Sequence, residues 1–268
     1  MQVKDAKILI LCKTYPTPSG KYAETSCVAG MDEQGNLIRL YPVPFRLITK
    51  DQQFKKWQWV TTKVRKAKKD HRPESHNILT DTIVLGEEVP TERNWEARRR
   101  QFEKLRLFTT FDDIDAEQKR TSMSLALLKP SKIIGLDIVP VAKPDWTDAE
   151  LAKLQQEQKQ GGLFPEDTPS IRQLRKLPYD FYYRYECTTP NGPAQHKHMI
   201  TDWEIGALYW NCQKHGAGWE KPFRDQLERK MPKADLMFLM GNQHRFQDQW
   251  LIISAMYPPH QTQGTLDL

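Results

Sequence analysis

Apolar positions along the chain change their spacing several times, and each change marks an element. Residues 6–12, AKILILC, form an unbroken apolar run of strand length, and 26–42, SCVAGMDEQGNLIRLYP, hold two more runs around the turn signal Asp32-Glu33-Gln34-Gly35-Asn36. This predicts a strand followed by a hairpin. KWQWVTTKVRKAKKD (56–70) alternates as a half-buried strand does, and IVL (83–85) adds a short one. TERNWEARRRQFEKLRLF (91–108) has helical spacing at Trp95, Arg98/Arg99 and Phe102, with Thr91 placed to cap it. A second helix is expected near Phe111-Asp112-Asp113, and SKIIGLDIVPV (131–141) reads as a buried strand closing the first unit.

From Ala142 to Leu177 the pattern lapses: KPDWTDAELAKLQQEQKQ is a polar, glutamine-rich helix and GGLFPEDTP a glycine/proline connector. Beyond it come a strand in YDFYYRYEC (179–187), a loop TTPNGPAQ, and a helix beginning near Thr201-Asp202. Another helix follows around PFRDQLERKM, then two strands, DLMFLM and QWLIISAMY, flanking Gly241-Asn242. The expected fold is α+β. A mixed β-barrel-like domain with helices spans 1–142, a polar linker 143–177, a smaller α+β domain 178–257 and a tail 258–268.

Composition narrows the class. A chain of 268 residues, 38% hydrophobic, is long enough to bury proper cores. No apolar run approaches the roughly 18 residues of a membrane span, and the start MQVKDAKILILCKTYP carries charges where a signal peptide would be apolar. A cytoplasmic protein without a membrane partner is expected. Cys12, Cys27, Cys187 and Cys212 show no CxxC pairing, which points to reduced thiols rather than a disulfide framework or a zinc site. The net charge of +6 favours an anionic partner.

That charge is concentrated. Between Lys55 and Lys69 there are seven Lys/Arg and no acid. In alternation, Val60, Thr62 and Val64 share one face of the strand, while Trp57, Trp59, Thr61, Lys63, Arg65 and Lys69 share the other. An aromatic and basic face is suited to phosphates and exposed bases. The alternative is an edge strand that uses lysines against aggregation, with both tryptophans in the core. The strand runs into DHRPES (70–75), where Arg72 either grips phosphate beside Glu74 or belongs to a turn. On the helix at 95–106, pairs such as Glu96/Arg100 and Glu103/Arg106 read more readily as a salt-bridged face than as a phosphate track.

The stretch KTYPTPSGKYAETSC (13–27) is a second concentration of chemistry. Lys13 and Tyr15 stand at a strand's end, Pro16 and Pro18 stiffen the turn, and Gly20 permits close backbone approach. Lys21, Glu24 and Thr25 follow. Such a loop suits a nucleotide, with cations on phosphate and a carboxylate on a base amine; equally, Lys21 and Glu24 can form an ordinary surface ion pair. SGKYAET resembles the G-x-K-x-x-E-x-R signature of the ASCH group of PUA-like β-barrels, which bind RNA or modified nucleobases. Lys21 and Glu24 occupy its lysine and glutamate, while Ser19 and Ser26 stand in place of its glycine and arginine. The resemblance implies a base or nucleotide cleft beside which Arg39, Tyr41 and Arg46 could lie. It also implies that Lys21, Thr25 and Glu24 could supply an amide-hydrolysing set.

In ECTTPNGPAQHKHMITDWE (186–204), His196 and His198 share a face if extended, with Asp202 nearby in sequence, so a metal could be held there. The set lacks the spacing of HExxH, so the expectation is no metal and a loop whose Asp202 or Thr201 caps the following helix. No P-loop, dinucleotide, GxSxG or HExxH motif occurs, and no cofactor is expected. The terminal Gln263-Gly264-Thr265-Leu266-Asp267-Leu268 is similar to the bacterial sliding-clamp-binding peptide, Q-x-x-L-x-[LF]. That similarity implies Gln263, Leu266 and Leu268 as contacts to the DNA sliding clamp. The sequence thus predicts a nucleic-acid-binding protein whose cleft lies between the 13–27 loop and the strand 55–69. An enzyme acting through Lys21/Glu24 or a His196/His198 metal, and an assembly protein meeting an acidic partner, are the alternatives.

Overall fold

The computed structural model describes residues 2–18, 24–152 and 174–260. Five long strands form a closed barrel: β1 (Val3–Lys13), β3 (Glu24–Met31), β4 (Leu37–Val43), β5 (Gln58–Lys66) and β6 (Ser75–Glu88), with the short β2 (Thr17–Pro18) beside β3. Their spatial order is β1-β5-β6-β4-β3, and β3 returns to pair with β1. Every barrel pairing is antiparallel except β4 with β6, where Arg39 stands opposite Ser75. In chain order the strands run first, fourth, fifth, third, second around a Greek-key barrel. The β3–β4 hairpin turns where the sequence marks it, because the Asp32 carboxylate accepts from the Asn36 amide at 2.8 Å and Gly35 adopts a φ of 90°.

The unbroken apolar run of β1 has a physical reason, since both of its faces are covered. Ile8 and Ile10 point into the barrel with Val28, Leu40, Val60 and Val64. Leu9 and Leu11 point outward onto Leu125, Leu239 and Ile253 of a second sheet. Gly30 belongs to this close packing, because a Cβ there would fall 2.4 Å from the Leu9 carbonyl oxygen.

After α1 (Glu92–Phe102), the remaining elements are β7 (Leu107–Phe108), α2 (Phe111–Thr121), β8 (Leu125–Leu128), β9 (Lys132–Pro140), β10 (Tyr179–Thr189), β11 (Gly192–Ile200), α3 (Trp203–Cys212), α4 (Glu220–Arg224), β12 (Met237–Asn242) and β13 (Trp250–Met256). The second sheet runs β7-β8-β12-β13-β11-β10-β9. One of its faces packs on the barrel; the other carries Phe181, Tyr183 and Phe238 under Ile114, Tyr209 and Phe223 of the helices. The protein is therefore α+β, with an N-terminal barrel and a second sheet with helices. No helix among the described residues is long and apolar enough to cross a membrane.

Several elements differ from the sequence expectation. The strand at 132–140 does not close the first unit but pairs with β10, Leu136 opposite Tyr183. The short strand expected at 83–85 is the end of β6, whose earlier part is half-buried on both faces and shows no alternation. The loop expected after 187 is a hairpin, because β11 pairs residue by residue with β10. Thr91 makes no side-chain cap, and Arg93, Asn94 and Trp95 hold φ values of 50°, 54° and 65°, so α1 is regular only beyond them.

Candidate nucleic-acid interface

Along β5 the side chains alternate: Gln58, Val60, Thr62 and Val64 are buried, whereas Thr61, Lys63 and Arg65 are exposed. The strand leads into the loop 67–74, where Lys68 and Lys69 are also exposed. Among the described residues, none of Lys63, Arg65, Lys68 and Lys69 has a carboxylate within salt-bridge distance, unlike Lys55, which meets Glu88 at 2.5 Å. Three of these cations, Arg65, Lys68 and Lys69, line a cleft of about 550 Å³ together with Tyr41, Asn77 and His244. Tyr41 is 45% exposed, a large ring open to solvent at the end of β4. Its backbone is fixed by the Asn77 amide, which donates to the Tyr41 carbonyl at 2.8 Å. Unpaired cations around an exposed ring provide a phosphate track beside a stacking platform.

Arg72 forms the floor of this cleft and is 4% exposed. Its Nε and Nη2 donate to the two Asp70 carboxylate oxygens at 2.9 and 2.7 Å, and Nη1 donates to the Asn242 carbonyl at 2.6 Å. Burial would raise the Asp70 carboxyl, yet the hydrogen bonds and charge of Arg72 outweigh it and hold the group far below its ordinary range. The backbone of the loop is gripped from a third side, because Lys66 Nζ donates to the Arg72 and Pro73 carbonyls at 2.7 and 2.6 Å. Glu74 does not steer Arg72. It accepts instead from the Ser124 amide and hydroxyl at 2.9 and 2.8 Å. Arg72 is thus a positioning residue that ties the loop to the β12 end, and its guanidinium is not presented to phosphate.

Other residues singled out from sequence lie elsewhere. Trp57 is 3% exposed and packs against Trp95 and Phe102, so its ring is core and not a stacking surface. The strand starts only at Gln58, and the φ of 65° at Trp57 turns its side chain out of the alternation assumed from sequence. Trp59 is half-buried, with the Lys7 ammonium 5.3 Å from its ring centre. Arg39 is 4% exposed and donates to the Ser124 carbonyl at 2.6 Å, which joins the barrel to the second sheet. Glu96 and Arg100 form the ion pair read from sequence, whereas Arg106 pairs with Glu117 and not Glu103.

The described residues of the 13–27 loop do not line the basic cleft. Tyr15 reaches across to the second half, donating to the Arg175 carbonyl at 2.8 Å and accepting from the Trp210 indole at 2.9 Å. Gly206 makes this docking possible, since a Cβ there would fall 2.4 Å from the Tyr15 ring. Lys13 Nζ donates to the Phe54 carbonyl at 2.9 Å. Glu24 is buried, its carboxyl raised by that burial, and pairs with Arg46 at 2.9 Å. Thr25 is buried beside it in sequence. Lys21, and Gln263, Leu266 and Leu268 of the tail, lie outside the described residues.

His196 and His198 do share a face of β11, packed with Phe111 and Tyr185. Asp202 is engaged elsewhere: it caps α3 through the Glu204 amide at 2.8 Å and accepts from the Ala255 amide at 3.0 Å. Among the described residues, no group of three or more His, Cys, Asp or Glu is arranged to hold a metal. Burial lowers His198 from 6.5 to about 4, with the neighbouring His196 adding to the shift. The sign follows from linkage: between these values the unfolded chain binds a proton that the folded protein refuses, so stability falls as pH drops from 6.5 towards 4. Urea denaturation in that window should show a loss of about 2–3 kcal/mol that His198→Gln largely removes. An unchanged pH slope in the variant would contradict this assignment.

Arg65 and Lys69, assigned to one face from sequence, both line the cleft, whereas nothing in the sequence pattern adds His244, which arrives from the β12–β13 turn. Residues 107–267 match the family described as "Domain of unknown function (DUF8757)". The chain belongs to the DUF8757 family. Residues 4–104, which hold the barrel, match a second description, "Domain of unknown function (DUF8758)". The DUF8757 region thus begins where the second sheet begins, and it supplies His244 to the cleft and Asn242 as the partner of Arg72 beneath it. A comparison with curated proteins returns no match. Among solved structures, a murine DNA-binding protein bound with double-stranded DNA is similar over 97% of this chain and 98% of its own, at 8% identity and a TM-score of 0.30. That similarity is too low to carry an argument.

Proposed function

We propose that this protein binds a single-stranded polynucleotide across the cleft between β4 and the 67–74 loop. One observation carries the reading: Arg65, Lys68 and Lys69 stand exposed and without carboxylate partners around a concave surface that presents Tyr41, and Lys63, exposed and likewise without a carboxylate partner, precedes Arg65 on the same face of β5. Unpaired cations attract phosphates and release counterions, while an aromatic ring stacks on any unpaired base. The same cations would meet a duplex, but Tyr41 contributes only where a base is free of its partner. The architecture agrees with the reading. Five-stranded Greek-key barrels of the oligonucleotide-binding type use the face of their second and third strands and the loop between their fourth and fifth. Tyr41 lies on the third barrel strand, and 67–74 is that fourth–fifth loop. This agreement is an analogy of fold and rests on the side chains for its force.

The test separates stacking from charge. Fluorescence anisotropy with a labelled single strand and the matching duplex should show Tyr41→Ala losing about 1–3 kcal/mol on the single strand, roughly 5- to 150-fold, and little on the duplex. Equal losses on both, or none, would remove Tyr41 from the interface. DNA and RNA strands of one sequence measured side by side give the sugar preference. An acidic protein binding as tightly as either would favour the assembly reading instead.

A further inference from the structure

A second cavity, sharing no lining residue with the basic cleft, opens between the end of β1, the segment before β5, α1 and the start of α3. Its volume is about 450 Å³, within the range of small-molecule sites. Four cations line it, Lys13, Lys55, Lys56 and Arg98, against two carboxylates, Asp202 and Glu204. The carboxylates are already engaged with one of the cations, since Lys56 Nζ lies 2.8 Å from Glu204 and 4.0 Å from Asp202. Lys55 turns to Glu88. Two positive groups remain without an acid among the described residues. Lys13 donates only to the Phe54 carbonyl and sits 3.8 Å from the Phe45 ring centre. Arg98 donates a hydrogen bond only through Nε, to the Val89 carbonyl at 2.9 Å, and its guanidinium carbon lies 4.7 and 5.1 Å from the Trp95 and Trp57 ring centres, so neither Nη group has a hydrogen-bond acceptor.

The remaining wall is aromatic: Trp95, Trp203 and Tyr257 line the same cavity. Its backbone is strained as well. Five non-glycine residues among those described hold a left-handed φ, and four of them are Trp57, Arg93, Asn94 and Trp95. Trp57 and Trp95 are themselves lining residues. Such conformations persist only where surrounding structure enforces them, and they concentrate at ligand clamps. Burial also pulls the Lys13 ammonium down to about 8, a penalty on the folded state that a bound anion would offset.

We infer that this cavity binds a nucleoside monophosphate, its phosphate held between Lys13 and Arg98 and its base against Trp95, Trp203 and Tyr257. The phosphate supplies the acceptors that the two cations lack, and the ring supplies a flat apolar surface for the indoles. The size of the site favours a free nucleotide over a polymer, so this ligand is distinct from the strand assigned to the basic cleft.

Isothermal titration calorimetry of the full chain with AMP, adenosine and inorganic phosphate tests it. The expected result is saturable binding of AMP, with adenosine and phosphate each weaker by about tenfold or more. Lys13→Met and Arg98→Gln should each weaken AMP by roughly 10- to 100-fold, the effect of losing one charge-assisted hydrogen bond, while oligonucleotide binding stays at the wild-type level. Should Lys13→Met fail to fold, Arg98→Gln and the wild-type titration still decide. Absence of saturable AMP binding, phosphate binding as tightly as AMP, or AMP affinity unchanged in the folded variants would overturn the inference.

Discussion

Arg72→Ala is expected to lower the free energy of unfolding by about 3–5 kcal/mol, the range for removing one partner of a buried ion pair. The guanidinium is 4% exposed and makes two hydrogen bonds to Asp70 and one short one to the Asn242 carbonyl. Truncation leaves Asp70, whose side chain is 14% exposed, without its compensating charge, and leaves a buried carbonyl without a donor. It also cuts a tie between the barrel loop and the second sheet, 170 residues apart in sequence. Arg72→Lys should rescue little, because an ammonium cannot make the planar two-pronged contact. Asp70→Asn combined with Arg72→Met should recover part of the loss by removing both charges together. Urea denaturation followed by circular dichroism measures all three, and a loss below about 1 kcal/mol for Arg72→Ala would show that the clamp contributes no more than a surface pair.

Arg72 also marks where sequence reading stops. In DHRPES it looks like a turn residue or a phosphate ligand, and nothing local reveals that its partner is Asn242. The same limit applies to Arg39, whose guanidinium is satisfied by Ser124, 85 residues away. By contrast, the inward face of β5 is written in its alternation, because a barrel strand is apolar on one side only. The apolar run of β1 gave the strand but not the reason for its two-sided burial, which requires the second sheet. The β10–β11 hairpin was hidden because β11, GPAQHKHMI, carries polar residues on both faces, and pairing with Tyr183 and Tyr185 supplies what its own sequence lacks. Trp57 was misplaced by one step: alternation carried back past Gln58 puts it on the basic face, whereas its left-handed backbone turns it into the core. Of the cleft, Arg65 and Lys69 were legible as charge, Tyr41 only as a neighbour implied by a family resemblance, and His244 not at all.

The second large effect concerns that charge. The triple variant Lys63→Glu, Arg65→Glu, Lys69→Glu should weaken single-strand binding on the order of 100-fold or more at low salt, since each reversal removes a phosphate contact and adds a repulsive one. Stability should change little. All three side chains are exposed, and none is tied to a carboxylate among the described residues, so each reversal falls in the class of surface substitutions within about 0.5 kcal/mol. Lys66 is the contrasting control. Its ammonium holds the loop backbone at 2.7 and 2.6 Å, and Lys66→Glu should therefore cost stability as well as affinity.

The salt dependence of single-strand affinity in the wild type and the triple variant tests the nucleic-acid assignment most directly, because it counts phosphate contacts rather than measuring affinity alone. With Lys63, Arg65, Lys68 and Lys69 engaged, the slope of log K against log salt should be close to −3 for a single strand, from about −0.7 for each phosphate neutralised. In the triple variant it should fall to about −0.7 or less, with thermal unfolding unchanged. A slope equally steep in both proteins would place the polyanion on another surface, and a wild-type slope near zero would contradict nucleic-acid binding through this cleft.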